Sequence, residues 1–420
     1  MTHLHKEDPT VYELIEKETQ RLQNTLDLIA AESVPPPSIL EAQGSSFAIK
    51  AAEGYPHRRF HAGCVFTDAL EALAIERAKQ LFGAEHANVQ PHSGVSANLA
   101  VYFALLKPGD KILAMKLSHG GHLSHGDPAS ITSRCFQFKH YGVHPETERI
   151  DYDALHALAL EYRPAMIVAG ASSYPRLIDY GRIAKIAEEI GAYFLVDMAH
   201  IAGLVAGGAI PSPIPHSDVV TFTTYKTLLG GRGGVILCRK TFAKKIDQNI
   251  FPGTQGTPAV NMIAAKAVCF GRALKPEFSA IQTRILENAD VMAKRLSTHG
   301  YRLVTGGTDN HLVLFDVTQK GLTGDEAEKL LESVGIVVNR NVIPREGEDP
   351  LHPSGIRLGT TAMASRGMGR EEAKNVADLI DTTLTHRNDA EALQEVAHAV
   401  SQLCHRFPLK GIPLHSGANS

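Results

Sequence analysis

The hydrophobic pattern of the chain alternates between short apolar runs and amphipathic segments. The apolar, β-branched runs occupy residues 111–115, 165–170, 192–198, 219–224 and 234–238. Helical patterns, such as those of residues 96–106 and 181–190, separate several of them. Because this alternation is typical of βαβ units, it predicts an α/β fold with a large, mixed but mostly parallel sheet covered on both faces.

The residues before this alternating part predict two helices. Residues 8–30 form an amphipathic pattern that three prolines at 35–37 bring to an end, and residues 44–66 are typical of a loop. Thr67 is predicted to cap the next helix, with Asp68 and Glu71 in its first turn. The apolar positions of that helix, which are expected to be buried, are Leu70, Leu73, Ala74 and Leu81.

The last third of the chain predicts a smaller α+β domain after a long helix at 276–299. Its expected strands are 301–305, 311–317, 336–340 and 355–360, and its expected helices are 324–334, 370–385 and 389–406. The final six residues are expected to be disordered. We therefore divide the chain into an N-terminal arm (1–40), a large domain (41–275), and a linking helix with a small C-terminal domain (276–420).

Composition narrows the class of protein. The net charge of −3 argues against a nucleic-acid-binding surface, and no apolar run reaches the length of a membrane span. The N-terminal residues carry acids and no apolar core, so they do not resemble a secretory signal. The five cysteines lie far apart and form no CxxC pair, which favours free thiols in a reducing compartment. These features together predict a cytoplasmic location.

One lysine stands out from the others. Lys226 follows the apolar run 219–224 and precedes a glycine cluster, with no carboxylate within seven residues on either side. A partly desolvated amine at such a place has a lowered pKa and can form a Schiff base. The alternative is an ordinary solvated lysine at the end of a strand.

Two further features favour the Schiff-base interpretation. Asp197 ends a buried apolar run, at the edge where α/β sheets bind their ligands, although it could also be a helix cap. Ser93 and Gly94 open a helix and offer a phosphate site. Pyridoxal 5'-phosphate needs a lysine, an acid for its ring nitrogen and donors for its phosphate, so the three features predict this cofactor.

The chemistry of two other features is less specific. His119, His122 and His125 are spaced by three residues, but the glycines among them disfavour a metal site and suit a histidine that stacks on a planar cofactor. We therefore expect no metal. Arg357 lies in an apolar run, where it could bind a substrate carboxylate or form an internal ion pair.

The chain resembles the serine hydroxymethyltransferase family over nearly its whole length. The matching motifs are residues 28–33, 53–56, 87–94, 119–126, 196–200, 223–227, 251–253, 255–256 and 354–357. The resemblance implies the aminotransferase-like fold (fold type I) of pyridoxal-phosphate enzymes. It also implies homodimers, possibly paired into tetramers, whose sites borrow residues from the neighbouring subunit.

The resemblance also implies roles for individual residues. Lys226, Glu53, His122 and Asp197 would be catalytic. The cofactor would be held by Ser93, Gly94, His122, Ser172, Asp197, His200, Thr223, Lys226 and the neighbouring subunit's copy of Gly256. The substrate would meet Arg357, His61 and Tyr225. Tetrahydrofolate, the co-substrate, would be bound by Leu117, Gly121, Leu123 and Asn341.

The chain departs from the family pattern at six positions. Tyr225 stands where the family has histidine, and His61 where it has tyrosine. Small or apolar residues replace hydroxyl-bearing ones at Ala31, Ala51 and Val95, and Thr257 replaces a glycine. We expect these changes to alter the grip on the amino acid, with Tyr225 as the main determinant of specificity.

The resemblance implies a folate-dependent hydroxymethyltransferase acting on serine or on an α-substituted serine such as 2-methylserine. Two alternatives remain at this point. One is a folate-independent threonine aldolase or transaldolase on the same fold. The other is a catalytically weakened paralogue that serves as a scaffold.

Overall fold

A seven-stranded sheet forms the centre of the larger part of the molecule. The computed structural model describes residues 3–344 and 352–410; the expected disorder of the last six residues lies outside these ranges. The described strands are β1 (Leu26–Asp27), β2 (Gly54–Tyr55), β3 (Arg58–Arg59), β4 (His86–Asn88), β5 (Lys111–Met115), β6 (Gln137–Tyr141), β7 (Met166–Ala169), β8 (Tyr193–Asp197), β9 (Val219–Thr223), β10 (Gly234–Cys238), β11 (Arg302–Leu303), β12 (Leu312–Asp316), β13 (Ile336–Val337), β14 (Asn339–Asn341) and β15 (Gly355–Gly359).

Helices lie between most of these strands. They are α1 (His3–Glu7), α2 (Pro9–Asn24), α3 (Pro37–Gln43), α4 (Val65–Phe82), α5 (Gly94–Leu105), α6 (Ile131–Cys135), α7 (Tyr152–Tyr162), α8 (Tyr180–Ile190), α9 (Ala202–Ala206), α10 (Ala243–Gln248), α11 (Val260–Ala273), α12 (Pro276–Thr298), α13 (Gly324–Ser333), α14 (Thr361–Arg366), α15 (Arg370–Thr385) and α16 (Ala390–Arg406).

The large sheet has the strand order β4-β10-β9-β8-β7-β5-β6. The five strands from β9 to β6 are parallel, and β10 runs antiparallel to both of its neighbours. Strands β7, β9 and β10 are buried along their whole length, as expected for a sheet with helices on both faces. The α/β class and the mostly parallel sheet are thus confirmed.

The N-terminal elements differ from the prediction. Helix α2 ends at Asn24 rather than near residue 30, because Leu26 and Asp27 pair in parallel with Ile336 and Val337. The burial of Leu28 and Ala30 reflects this extended segment and not a helix.

The start of helix α4 was also wrongly predicted. Its N-cap is Cys64, and Thr67 lies inside the first turn, fully enclosed by the protein. Glu71 is buried whereas Leu73 is 43% exposed. The reason is a buried ion pair, since Arg59 lies 2.6 Å from the Glu71 carboxylate and draws that face of the helix inwards.

A second, antiparallel sheet of order β11-β12-β15-β14 lies in the C-terminal part. The predicted strand 336–340 is two strands: β13 pairs with β1, and β14 joins the antiparallel sheet. The predicted strand 301–305 is only two residues long, because the chain turns at Thr305, whose φ is +63°.

Two apolar cores correspond to the two sheets, and helix α12 contributes to both. Phe278 and Ile285 pack in the core of the large sheet, whereas Met292 and Leu296 pack in the C-terminal core. Leu28 of the N-terminal segment also belongs to the C-terminal core. The boundaries at residues 40 and 275 stay predictions.

Two expectations from composition concern the described residues as well. Within residues 3–344 and 352–410, the helices are too short or too polar to cross a membrane. All five cysteines are free thiols, and four of them are buried.

Candidate active site

A pocket of about 470 Å³ opens where β8 and β9 end and α5 begins. It is lined by Ser93, Gly94, Val95, His122, His125, Ala171, Ser172, Asp197, Ala199, His200, Thr223, Tyr225 and Lys226. Nine of these residues are ones that the sequence singled out for the site. The carboxyl ends of parallel strands therefore collect side chains that lie more than a hundred residues apart in the chain.

Lys226 lies in the turn that follows β9, and its side chain is buried with only 7% of the residue exposed. Burial lowers the pKa of the amine to about 8, and the positive charge of Arg357 adds to this shift while Asp197 opposes it. A larger fraction of this amine is therefore neutral near pH 8 than in a solvated lysine, and a neutral amine is the form that attacks a carbonyl carbon.

Asp197 ends β8 and is held on both carboxylate oxygens. Oδ2 accepts a hydrogen bond of 2.8 Å from Asn98 and lies 3.1 Å from Nε2 of His125, and Oδ1 accepts from the amide of Ala199. Burial alone would raise the pKa of this carboxyl group, but the hydrogen bond and charge of His125 hold it well below its usual range. Asp197 is therefore an anion at neutral pH, able to keep a facing ring nitrogen protonated.

His122 precedes a short 3-10 turn and lines the same pocket. Its Nδ1 accepts from the amide of Ser124, so the proton of the neutral ring is on Nε2. Burial lowers the pKa of His122 to about 4, against the pull of Asp197. The ring is consequently neutral and available to stack on a planar ligand.

The three spaced histidines do not form one group. Nδ1 of His119 accepts from the amide of Val143, away from the pocket. His122, His125 and Asp197 do bring ligand atoms within 4.8 Å of one another, the one such group among the described residues. In this group, however, the hydrogen bond between His125 and Asp197 already satisfies one nitrogen and one carboxylate oxygen.

The N-terminus of α5 forms the polar end of the pocket. Ser93 is its N-cap and exchanges hydrogen bonds with Ser96 in a capping box. A Cβ atom on Gly94 would lie 2.8 Å from the methyl carbon of Thr223, so only glycine lets the helix approach β9 this closely. Free amides, a helix dipole and the hydroxyl groups of Ser93 and Thr223 suit a phosphate group.

Ser172 and His200 also line the pocket, and they follow β7 and β8 in the chain. The Ser172 hydroxyl donates to the carbonyl of Gly121 at 2.6 Å. Nδ1 of His200 lies 3.3 Å from Nε2 of His311, and the two rings stack. Burial, followed by the positive charge of Lys226, lowers the pKa of His200 far below its ordinary value.

Arg357 projects from β15 and joins the C-terminal sheet to the pocket wall. Its Nε donates to Asn339 at 2.9 Å, and one terminal nitrogen donates to the carbonyl of Ser172 at 2.6 Å. Burial lowers its pKa to about 10. No carboxylate of the described ranges pairs with this guanidinium, so it is a half-buried cation that an anionic ligand would compensate.

Tyr225 is fixed from two directions. The guanidinium carbon of Arg232 lies 4.7 Å above the centre of its ring, and its carbonyl accepts a 2.7 Å hydrogen bond from Ser33. The residue next to the lysine therefore has a defined orientation beside the pocket.

Three other predicted residues lie outside this pocket. Glu53 and His61 form a pair of their own, with Oε2 of the glutamate 3.1 Å from Nδ1 of the histidine. Gly256 is exposed, and a Cβ atom there would meet nothing within 4 Å. The hydroxyl of Thr257 accepts from the amide of Ala52 at 2.8 Å and so anchors the loop that carries Glu53.

The four residues expected to bind folate do not line the pocket either. Leu117 and Leu123 are 42% and 55% exposed on the two turns after β5. Gly121 lies between them, and a Cβ atom there would clash at 2.3 Å with the carbonyl of Met115. Asn341 ends β14 and donates to the carbonyl of Val342.

Sequence reasoning missed the residues that hold Asp197. Asn98 is fully buried, and it donates to Asp197 and to Ser124 while it accepts from Thr221. The sequence signal that could have revealed Asn98 is an asparagine among the apolar residues of helix α5. The sequence predicted no role for His311, and it marked His125 only as a member of a histidine cluster.

These features fit the aldehyde, the ring nitrogen and the phosphate of pyridoxal 5'-phosphate. The lysine has a lowered pKa, the aspartate is ionised, and the helix N-terminus has a glycine where a side chain would collide. The fold and the pocket therefore define a pyridoxal-phosphate-dependent enzyme of fold type I.

The comparison with known families is more specific. The family model for serine hydroxymethyltransferase matches residues 4–380. The chain belongs to the serine hydroxymethyltransferase family. It is thus a pyridoxal-phosphate-dependent hydroxymethyltransferase, and the family uses tetrahydrofolate as co-substrate.

Proposed function

We propose that the enzyme transfers a hydroxymethyl group between a β-hydroxy amino acid and tetrahydrofolate, and that the amino acid is serine or an α-substituted serine such as 2-methylserine. The observation that supports this proposal is the half-buried guanidinium of Arg357, which donates to the carbonyl of Ser172, a residue that lines the same pocket as Lys226. An amino acid offers an amine for exchange at the lysine and a carboxylate for the arginine.

Eight of the pocket residues would hold the cofactor in this proposal. Lys226 would form the covalent link to it, and Asp197 would keep its pyridine nitrogen protonated. His122 would stack on the ring, Ser93, Gly94 and Thr223 would hold the phosphate, and Ser172 and His200 would hydrogen-bond the phenolic oxygen. The chemistry that the bound cofactor would supply is a place for the electron pair left on the α-carbon when the α–β bond breaks.

Arg357 orients the amino acid for that bond cleavage. Asn339 accepts from Nε of its guanidinium and Ser172 from one terminal nitrogen, so the orientation of the group is fixed by two hydrogen bonds. Tyr225 lines the pocket next to Lys226, and Arg232 holds its ring in place. Tyr225 is therefore proposed to select among α-substituents.

Glu53 is proposed to handle the proton at the hydroxyl group of the substrate or at the one-carbon unit. Because Glu53, His61 and Gly256 lie away from the pocket of their own chain, we propose that they serve the pocket of a second copy. The predicted folate residues Leu117, Gly121, Leu123 and Asn341 would complete that shared site.

An apolar surface next to Glu53 supports a homodimer. Ile49, Phe60, Val65 and Phe66 are between 76% and 88% exposed, although each is a large hydrophobic residue. A cluster of this kind is typical of a surface that another subunit covers. Pairing of two such dimers into a tetramer would double the mass measured in solution. The cytoplasmic location likewise stays a prediction.

Purified enzyme assayed with serine, 2-methylserine and threonine, each with and without tetrahydrofolate, tests the proposal. We expect one-carbon transfer from serine or 2-methylserine that requires tetrahydrofolate, with glycine or alanine as the second product. Cleavage of threonine to an aldehyde with no dependence on folate, and no turnover of either serine, would overturn it.

A further inference from the structure

A buried lysine lies behind the proposed phosphate site and takes no part in the chemistry described above. Lys266, on α11, is 1% exposed. Its Nζ donates three hydrogen bonds, to the carbonyls of Val89 at 2.7 Å, Pro91 at 3.0 Å and Gly234 at 2.9 Å. An ammonium group has three donors, so each of them is matched to one carbonyl.

The three carbonyls belong to the two segments that fix the start of α5. Val89 and Pro91 lie in the turn that leads into Ser93, and Gly234 is the first residue of β10. The amide of Gly234 also donates to Pro91 at 3.0 Å. The ammonium therefore ties the turn before the helix to the sheet at the place where the helix begins.

The neighbouring backbone is shaped around this side chain. Gly233 has a φ of +150°, and a Cβ atom there would lie 2.3 Å from Cε and 2.7 Å from Nζ of Lys266. A Cβ atom on Gly234 would lie 2.2 Å from the carbonyl oxygen of Ser93. Side chains at either position would thus displace the ammonium or the helix N-cap.

Retaining a charged group here has an electrostatic cost. Burial lowers the pKa of Lys266 to about 7, while the negative charge of Glu71 opposes that shift. A methionine of similar length would fill the space without burying a charge. When protonated, the lysine supplies three donors that methionine lacks, and without them three carbonyls would be left without these partners.

We propose that Lys266 is a positioning residue for the phosphate end of the cofactor pocket. It acts through the turn 89–93, which sets where Ser93 and the first amides of α5 lie. This inference rests on the proposed role of Ser93 and Gly94 in holding phosphate. Lys266 is the interior group that would hold this end of the pocket in place.

Titration of the full-length apo chain with pyridoxal 5'-phosphate and with pyridoxal, which lacks the phosphate, tests the inference. In Lys266→Met we expect the Kd for pyridoxal 5'-phosphate to rise at least about tenfold and the Kd for pyridoxal to change less than about twofold. At saturating cofactor, kcat should stay within about twofold of the wild type. Equal loss of affinity for both ligands, or no loss for either, would overturn the inference.

Two further variants keep the test decisive. Gly233→Ala retains the lysine but pushes against it, so it should weaken phosphate-dependent binding in the same way even if Lys266→Met fails to fold. Asn288→Leu removes another fully buried side chain that ties down a carbonyl, that of Met368, far from the pocket in α12. The ratio of the Kd for pyridoxal to the Kd for pyridoxal 5'-phosphate should be the same in Asn288→Leu as in the wild type.

The wild-type titration separates the two hypotheses. If wild-type protein binds pyridoxal as tightly as pyridoxal 5'-phosphate, the phosphate role of Ser93 and Gly94 is wrong, and the inference about Lys266 falls with it. If the wild type favours the phosphorylated ligand and Lys266→Met favours it equally, only the inference about Lys266 is wrong.

Discussion

At the scale of single residues, burial decides what Lys226 can do. Its pKa is about 8, against 10.5 for a free lysine side chain. In the apo protein, the folded state therefore binds fewer protons than the unfolded state between these two pH values, and stability rises with pH across this window. Below pH 8, the buried charge costs folding free energy of up to about 3 kcal/mol.

Lys226→Met should consequently stabilise the apo protein at pH 6.5, by about 1–3 kcal/mol, and the gain should shrink as the pH approaches 10. Urea unfolding at several pH values measures this difference. Lys244→Met, at an exposed position of α10, provides the matched control and should show no such trend. A methionine variant less stable than the wild type at pH 6.5 would contradict the assignment of a buried ammonium.

Arg357 gives a second prediction at this scale. Arg357→Lys should raise the KM for the amino acid about 10- to 100-fold, because one ammonium group cannot hold a carboxylate on two nitrogens and contact Asn339 as well. Steady-state kinetics and a cofactor titration together check it, since the affinity for pyridoxal phosphate should stay within about twofold. An unchanged KM would show that the guanidinium does not bind the substrate.

Residues could be predicted from the sequence when the signal was local. Lys226 and Asp197 follow apolar runs directly, and the ends of parallel strands meet at one sheet edge, so their proximity follows from the pattern. Asn98 and Lys266 carry no such signal. Each is a polar residue in a mostly apolar helix, and its hydrogen-bond partners lie outside that helix, between 26 and 177 residues away in the chain.

At the scale of elements, the proposed phosphate site makes α5 the helix on which cofactor affinity should depend most directly. Gly94→Ala would place a Cβ atom 2.8 Å from the methyl carbon of Thr223, so the helix would have to move away from β9. We expect the Kd for pyridoxal phosphate to rise about tenfold or more. Adding Thr223→Ser removes that methyl group but keeps the hydroxyl, and it should recover most of the lost affinity.

The rescue distinguishes a steric effect from a loss of helix flexibility. If the double variant binds the cofactor as poorly as Gly94→Ala alone, the close approach of α5 to β9 is not what determines affinity. Thr223→Ser alone is the control, and its Kd should lie within about threefold of the wild type, because the hydroxyl remains at the end of the strand.

Elements with strong apolar patterns were predictable, and weakly patterned ones were not. Strands β7 to β10 are buried runs, and their positions were confirmed. Strand β6 was missed, because it lies at the sheet edge and exposes most of its residues. The start of α4 was misplaced, because a buried glutamate and an exposed leucine reverse the usual pattern there.

At the scale of the whole molecule, the residues proposed to be functional fall into two sets, and Glu53 and His61 do not line the pocket that holds Lys226. The pocket that holds Lys226 lies at the carboxyl ends of β8 and β9. Glu53 and His61 lie on the loop that Arg59 and Thr257 anchor. Arg59 donates to the carbonyls of Ala52 and Gly54, on both sides of Glu53. A loop fixed this firmly is suited to present a carboxylate to another subunit.

The separation predicts a specific pattern of complementation. In the proposed homodimer, Lys226→Met and Glu53→Gln should each lower the activity by at least about 100-fold. In a mixed dimer, one of the two sites would combine the intact Lys226 of one copy with the intact Glu53 of the other. Random pairing of equal amounts makes half of the dimers mixed, so about a quarter of the wild-type activity should return.

Co-expression of the two variants with different affinity tags, followed by an assay of the doubly tagged dimer, measures this directly. The purified mixed dimer should have about half the wild-type activity. Pairing Lys226→Met with a Lys226→Met, Glu53→Gln double variant leaves no lysine in either site and should restore nothing. If the mixed dimer is as inactive as its parents, Glu53 acts within its own chain, and that chain must close its loop onto the pocket before it can turn over substrate.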